Sequence, residues 1–257
     1  MKASAEPNLI LRFMVACSMF GWCTVILMMI FPPATVQDVF WRKPLIGSVL
    51  FLICAGGSLA AVSPRTCSAA HRTQKVETSK GSGDVETDSV SSKGHHPDCG
   101  RFSNHTIQFR GNYYCAACTG LLIGGVMAMA VIVLYFFLRL SAEALGFPAV
   151  IAGQFGPVLG LIQFKFKSWI RLCANVFFVF GSCLILIGID KLVYNVLVDL
   201  YLICLILVWI LTRVMISQWD HYRICLACGF SCGTERAERK VGLSASSSQR
   251  VKSPDEE

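Results

Sequence analysis

The residues whose types and spacing could do chemistry in this chain fall in two tight clusters of cysteine and histidine. The first, from His95 to Thr119, contains His96, Cys99, His105, Cys115 and Cys118; the second, from Trp219 to Cys232, contains His221, Cys225, Cys228 and Cys232. Two cysteines separated by two residues can turn both thiolates onto one tetrahedral ion. Cys115-Ala116-Ala117-Cys118 and Cys225-Leu226-Ala227-Cys228-Gly229 both have this form. His96 and Cys99 supply a second pair upstream of Cys115 at a zinc-ribbon-like separation, and His105 competes for the nitrogen position. His221 and Cys232 could complete a set around Cys225 and Cys228. The spacing allows one shared site on Cys115, Cys118, Cys225 and Cys228, or two local ones. The expected ion is zinc. A full complement of ligands points to a closed structural site, since catalytic zinc keeps a position open for water, and this leans away from an enzyme.

The same thiols allow a second chemistry. A CxxC pair in a helical membrane bundle could exchange electrons with a lipid-soluble quinone, its thiolate favoured by a nearby arginine or a helix N-terminus. A cytoplasmic location argues against this, because that compartment is reducing. Covalent c-type haem is excluded by the absence of CxxCH. Of the thirteen cysteines, Cys17, Cys23, Cys54, Cys173, Cys183 and Cys204 lie inside apolar runs, where a thiol acts as a small buried hydrophobe.

Both clusters must be positioned by elements that live in lipid. With 54% of residues hydrophobic and 15% charged, the chain reads as an all-α integral membrane protein rather than a soluble domain. A helical span needs about 20 mostly apolar residues. Runs of this kind cover about 10–31, 45–62, 120–138, 172–189 and 192–216. A further run, 147–164, is broken by Pro148, Gly153, Gly156, Pro157 and Gly160, which predicts a kinked or re-entrant passage. The expectation is therefore about six transmembrane helices with a small cytoplasmic metal-knuckle region. Its parts are an N-terminal transmembrane hairpin over 1–72, a disordered linker over 73–94 and the Cys/His-rich segment over 95–119. A four-helix transmembrane region over 120–217, a C-terminal knuckle over 218–233 and a disordered tail over 234–257 follow. The linker and tail are built of Ser, Gly, Thr and charged residues, too poor in apolar area to order themselves.

Basic residues are retained on the cytoplasmic side. If six spans are counted, every Lys and Arg except Arg42, Lys43, Arg139 and Lys191 falls on one side. The reading is a multi-pass protein of the cell membrane with both termini cytoplasmic and both cysteine clusters on one face. Its partners are the lipid bilayer and a membrane or cytoplasmic protein. The net charge of +7 reports orientation and lipid contact, and no arginine stripe interleaved with aromatics marks nucleic-acid binding. Transport would require ionisable or polar residues inside spans. Asp199, Gln154 and Asn175 are the candidates, while Asp190, Lys191 and Arg139 read as boundary charges. Gly120 with Gly124, and Gly156 with Gly160, have the GxxxG spacing of close helix packing.

The stretch HHPDCGRFSNHTIQFRGNYYCAACTGLLIGG resembles the signature of a family of small predicted prokaryotic membrane proteins of unknown function. There a Cys/His segment precedes Cys-x-x-Cys-Thr-Gly, which opens a transmembrane helix. The similarity covers about 95–181, with Arg171 and Asn175 resembling a second, weaker signature. It departs at Ala116 and Ala117, where members often carry a basic residue, and it leaves out the first two spans and the C-terminal cluster. The resemblance implies a membrane protein with a cysteine motif and implies no activity.

Overall fold

The apolar runs form helices because an unbroken apolar backbone has no other way to satisfy its polar groups in lipid. The computed structural model describes residues 6–35, 39–62, 92–93, 96–97, 102–140 and 146–226. Helix α1 is Glu6–Ile30 and α2 is Arg42–Val62. Helix α3 is Ala116–Ile132 and continues as a π turn, Val133–Phe137. Helix α4 is Gly146–Leu161, α5 is Ser168–Leu192 and α6 is Val196–Leu226.

Five of these helices are long and apolar enough to cross a membrane. The sixth, α4, has only 16 residues, about 24 Å of helix against a hydrocarbon core of about 30 Å. It nonetheless runs antiparallel along α5, from Gly146 beside Leu192 to Gly160 beside Phe178, so it traverses most of the bundle. Its glycines make this possible. A Cβ on Gly156 would stand 2.4 Å from the Phe177 carbonyl, and one on Gly181 would stand 2.8 Å from the Gly153 carbonyl, so the two backbones touch where side chains are absent. The same device joins α3 to α5: a Cβ on Gly120 would meet the Leu172 carbonyl at 2.4 Å.

Helix α1 lies antiparallel to α6. Ser18 Oγ and Thr212 Oγ1 are 2.8 Å apart, and the Trp209 indole donates to the Ser18 carbonyl at 3.1 Å. The start of α1 and the end of α6 therefore share one end of the bundle. The outer faces carry exposed Phe13, Phe20, Leu52, Leu59, Phe155, Leu197 and Leu211, an apolar surface suited to lipid.

Three differences from the sequence reading bear on the site. Helix α3 begins at Ala116 rather than Gly120, so Cys118 lies in helical backbone and Cys115 is its N-cap residue. Helix α6 does not stop at Ile216 but continues to Leu226, because Ser217, Asp220 and His221 can turn toward other protein while exposed Tyr222 and Arg223 face outward. The segment expected as a C-terminal knuckle thus begins as helix. Asp190, read from the sequence as a boundary charge, is buried, and so are Arg42 and Asp199. The Arg42 guanidinium reaches Asp199 at 2.6 Å and Asp190 at 2.7 Å, Tyr135 donates to Asp190, and Arg42 lies over the Tyr194 ring. This ion cluster ties α2 to α5, α6 and the π turn at the end of the bundle opposite the cysteine motif. Of the linker expected at 73–94, Ser92 and Lys93 form strand β1, paired with β2, His96–Pro97. The rest of the linker and the tail at 234–257 lie outside the described residues.

Candidate functional site

The cysteine motif is placed by a hairpin. Strands β3, Thr106–Phe109, and β4, Asn112–Cys115, pair antiparallel with Thr106 opposite Cys115 and Phe109 opposite Asn112. The two-residue loop between them puts Arg110 at φ 51° and Gly111 at φ 83°. Positive φ at both central positions matches the right-handed twist of a two-residue hairpin. Ile107 packs against Ala116 and Leu172, fastening the hairpin to α5. This register sets His105, one residue before Thr106, next to the residue that opens α3.

His105 is buried at the end of a short 3-10 turn, Ser103–His105. Its ring stands 5.3 Å, centre to centre, from that of His221 on α6, and Phe102 lies edge-on to both. Arg171, near the start of α5 and 1% exposed, holds this end together. One terminal nitrogen meets His105 Nε2 at 3.0 Å and the other donates to Asp220 Oδ2 at 3.2 Å. A guanidinium has no acceptor to offer, so in this contact Nε2 accepts. One turn along, Asn175 donates to the Arg171 carbonyl at 2.6 Å. Its Oδ1 accepts from Arg213 Nε at 2.9 Å and from a terminal nitrogen of Arg213 at 2.6 Å. Arg171 and Asn175, four residues apart and so on one face of α5, thereby couple the hairpin, α5 and α6.

These groups form the polar end of a cavity of about 330 Å³ enclosed by α2, α3, α5 and α6. Cys115 and Cys118, His105 and His221, and Arg171 and Arg213 all line it. Deeper in, its wall is apolar, with Leu50, Ile53, Leu121, Phe178 and Ile206. Among the described residues, two buried polar atoms of the side chains that line it, Arg171 Nε and Ser58 Oγ, have no hydrogen-bond partner.

Of the residues singled out from the sequence, Cys115, Cys118, His105 and His221 therefore come to one cavity, although the two clusters lie about a hundred residues apart in the chain. Cys225 lies in the helical backbone of α6, one turn beyond His221. His96 lies in β2. The side chains of these two residues, and all of Cys99, Cys228 and Cys232, lie outside the described residues. Among the described residues no three His, Cys, Asp or Glu side chains converge closely enough to hold a metal ion. The sequence reading missed Arg171, Arg213 and Asp220 as site residues. The available signal was their charge in segments otherwise built for lipid, where such groups are rare and face the bundle interior. No protein-family profile, curated protein or solved structure matches the chain.

Proposed function

We propose that this is a membrane scaffold or partner-binding protein whose cytoplasmic end is clamped by a structural zinc ion. The observation that carries the reading is the convergence of Cys115 and Cys118 with His221 on one cavity. Helix α6 continues from His221 through Cys225, and four residues of helix return to the same face, so sulfur from the C-terminal cluster would arrive at the same end as Cys115 and Cys118. The donor set that fits is Cys115, Cys118, Cys225 and Cys228, four soft thiolates around a tetrahedral ion. His105 fits less well, because Arg171 occupies its Nε2. Bound there, zinc would supply a closed cross-link between the start of α3 and the end of α6. The metal-to-protein ratio of protein purified without chelators tests this: one zinc per chain is expected, lost in both Cys115→Ser and Cys225→Ser. Metal-free parent protein, or either variant retaining its zinc, overturns it.

A thiol–disulfide role is the second reading. It is favoured by the placement of Cys115 at the N-terminus of α3 and Cys118 in its first turn, where the helix dipole favours a thiolate. Reversible oxidation of Cys115 and Cys118 by a soluble quinone analogue, in protein that holds no zinc, would select it. Transport loses its main support, since Asp199 is tied to Arg42 in a buried ion cluster.

A further inference from the structure

The cavity has the layout of an amphiphile, and we infer that it binds a single-chain lipid with an anionic phosphate headgroup, the phosphate at Arg171 and the chain between the helices. This goes beyond the zinc clamp and does not depend on it.

The polar end defines the headgroup. Two guanidinium groups line it: Arg171, which donates to Asp220, and Arg213, which donates to Asn175. Guanidinium groups are suited to phosphate oxygens, and basic pockets between membrane helices take lipid headgroups. Arg171 is 1% exposed, yet among the described residues its Nε–H has no partner, and a buried donor of a charged group left unbonded is costly.

A second unpartnered atom defines the linkage. Ser58 lines the cavity, and its buried Oγ, without a hydrogen-bond partner among the described residues, sits against Gly125. Gly120 is level with Leu172, next to Arg171, and Gly125 is five residues further along α3. Ser58 is therefore about 8 Å deeper than the guanidinium, at 1.5 Å of rise per residue. That is the depth at which the ester oxygens of a phosphate lipid follow its headgroup. Beyond Ser58 the wall turns apolar, with Leu50, Cys54, Phe178 and Ile206. From Arg171 to Cys183 the lining extends over 12 residues of α5, about 18 Å and past the middle of a bilayer. The volume of about 330 Å³ lies at the small end of the range for ligand sites, which suits one chain rather than two.

The entrance lies at α2. Gly57 lines the cavity, and a Cβ there would meet nothing within 4 Å. Leu52 and Leu59 beside it are about 70% exposed on the lipid-facing surface, so a chain could enter sideways from the membrane.

Four probes in detergent solution test this on the full chain by microscale binding: lysophosphatidate, the monoacylglycerol with the same chain, inorganic phosphate and a decyl-quinone. Lysophosphatidate should bind at least about tenfold more tightly than any of the others, the effect of one or more hydrogen bonds to a charged group. Gly57→Trp, which places an indole at the entrance from a position where the added Cβ meets nothing within 4 Å, should abolish binding, and Arg171→Gln should bring lysophosphatidate down to the level of the monoacylglycerol. Equal binding of the monoacylglycerol, or preferential binding of a decyl-quinone, overturns the anionic headgroup. Equal binding of inorganic phosphate overturns the lipid. Unchanged binding to Gly57→Trp overturns the cavity as the site. If Arg171→Gln fails to fold, the probe panel on the parent and on Gly57→Trp still decides.

Discussion

Replacing Arg42 with methionine should be among the most destabilising single changes in the bundle. The guanidinium is 2% exposed and stands 2.7 Å from Asp190 and 2.6 Å from Asp199, both with fully buried side chains. Removing one partner from a buried ion cluster strands the opposite charge, which costs about 3–5 kcal/mol where it has been measured. Here two carboxylates lose this guanidinium at once, so the upper end of that range is expected. Such a loss is a large part of the total stability of most domains, about 5–15 kcal/mol. The assay is equilibrium unfolding in mixed dodecyl maltoside and sodium dodecyl sulfate micelles, followed by tryptophan fluorescence. Arg42→Met combined with Asp190→Asn and Asp199→Asn removes the stranded charges, so most of the loss should return in the triple variant. A single variant within about 1 kcal/mol of the parent would refute the reasoning. So would a triple variant no more stable than Arg42→Met.

Three further predictions follow from other contacts. Gly120→Leu should destabilise by at least about 1–3 kcal/mol, the usual cost of overpacking, because its Cβ alone would stand 2.4 Å from the Leu172 carbonyl; Gly57→Ala, which meets nothing, is the control, and the same unfolding assay reads both. Asn175→Leu removes the acceptor of two hydrogen bonds from Arg213, at 2.9 and 2.6 Å, and should cost about 1.5–3 kcal/mol, as expected for hydrogen bonds to a charged group; a change below 0.5 kcal/mol in that assay, roughly the scale of a surface substitution, would count against the coupling of α5 to α6. Removing zinc with a chelator should raise the number of cysteines that react rapidly with a maleimide, and Cys115→Ser should abolish the increase; Cys54 and Cys183, buried in the bundle core, should stay slow throughout.

The membrane class and nearly every helix were legible, because a long apolar run in lipid has one structural solution. Helix α3 showed itself through the run beginning at Gly120, but its first turn, Ala116–Thr119, belongs to the Cys/His motif and was read as part of the preceding segment. The end of α6 was misplaced for the same reason: Asp220 and His221 interrupt the apolar pattern, and only the partners they meet, Arg171 and His105, make helix the better state there. That the two cysteine clusters share a face was inferred from the distribution of Lys and Arg, and the cavity brings Cys115, Cys118 and His221 together. The role of Arg42 was hidden. It sits in Phe40-Trp41-Arg42-Lys43, a sequence typical of a membrane interface, and two carboxylates that it meets, Asp190 and Asp199, are about 150 residues away in the chain. Long-range charge pairing leaves no local pattern. The same holds for Arg171 and Arg213, whose meeting through Asn175 depends on how α5 and α6 pack.

The most direct measurement is X-ray absorption at the zinc edge on protein prepared without chelators, for the parent, Cys115→Ser and Cys225→Ser. A single zinc per chain in a shell of sulfur scatterers at about 2.3 Å is predicted, with that same shell broken by either substitution. Absence of zinc, or a complete sulfur shell surviving in either variant, would contradict a clamp shared by the start of α3 and the end of α6.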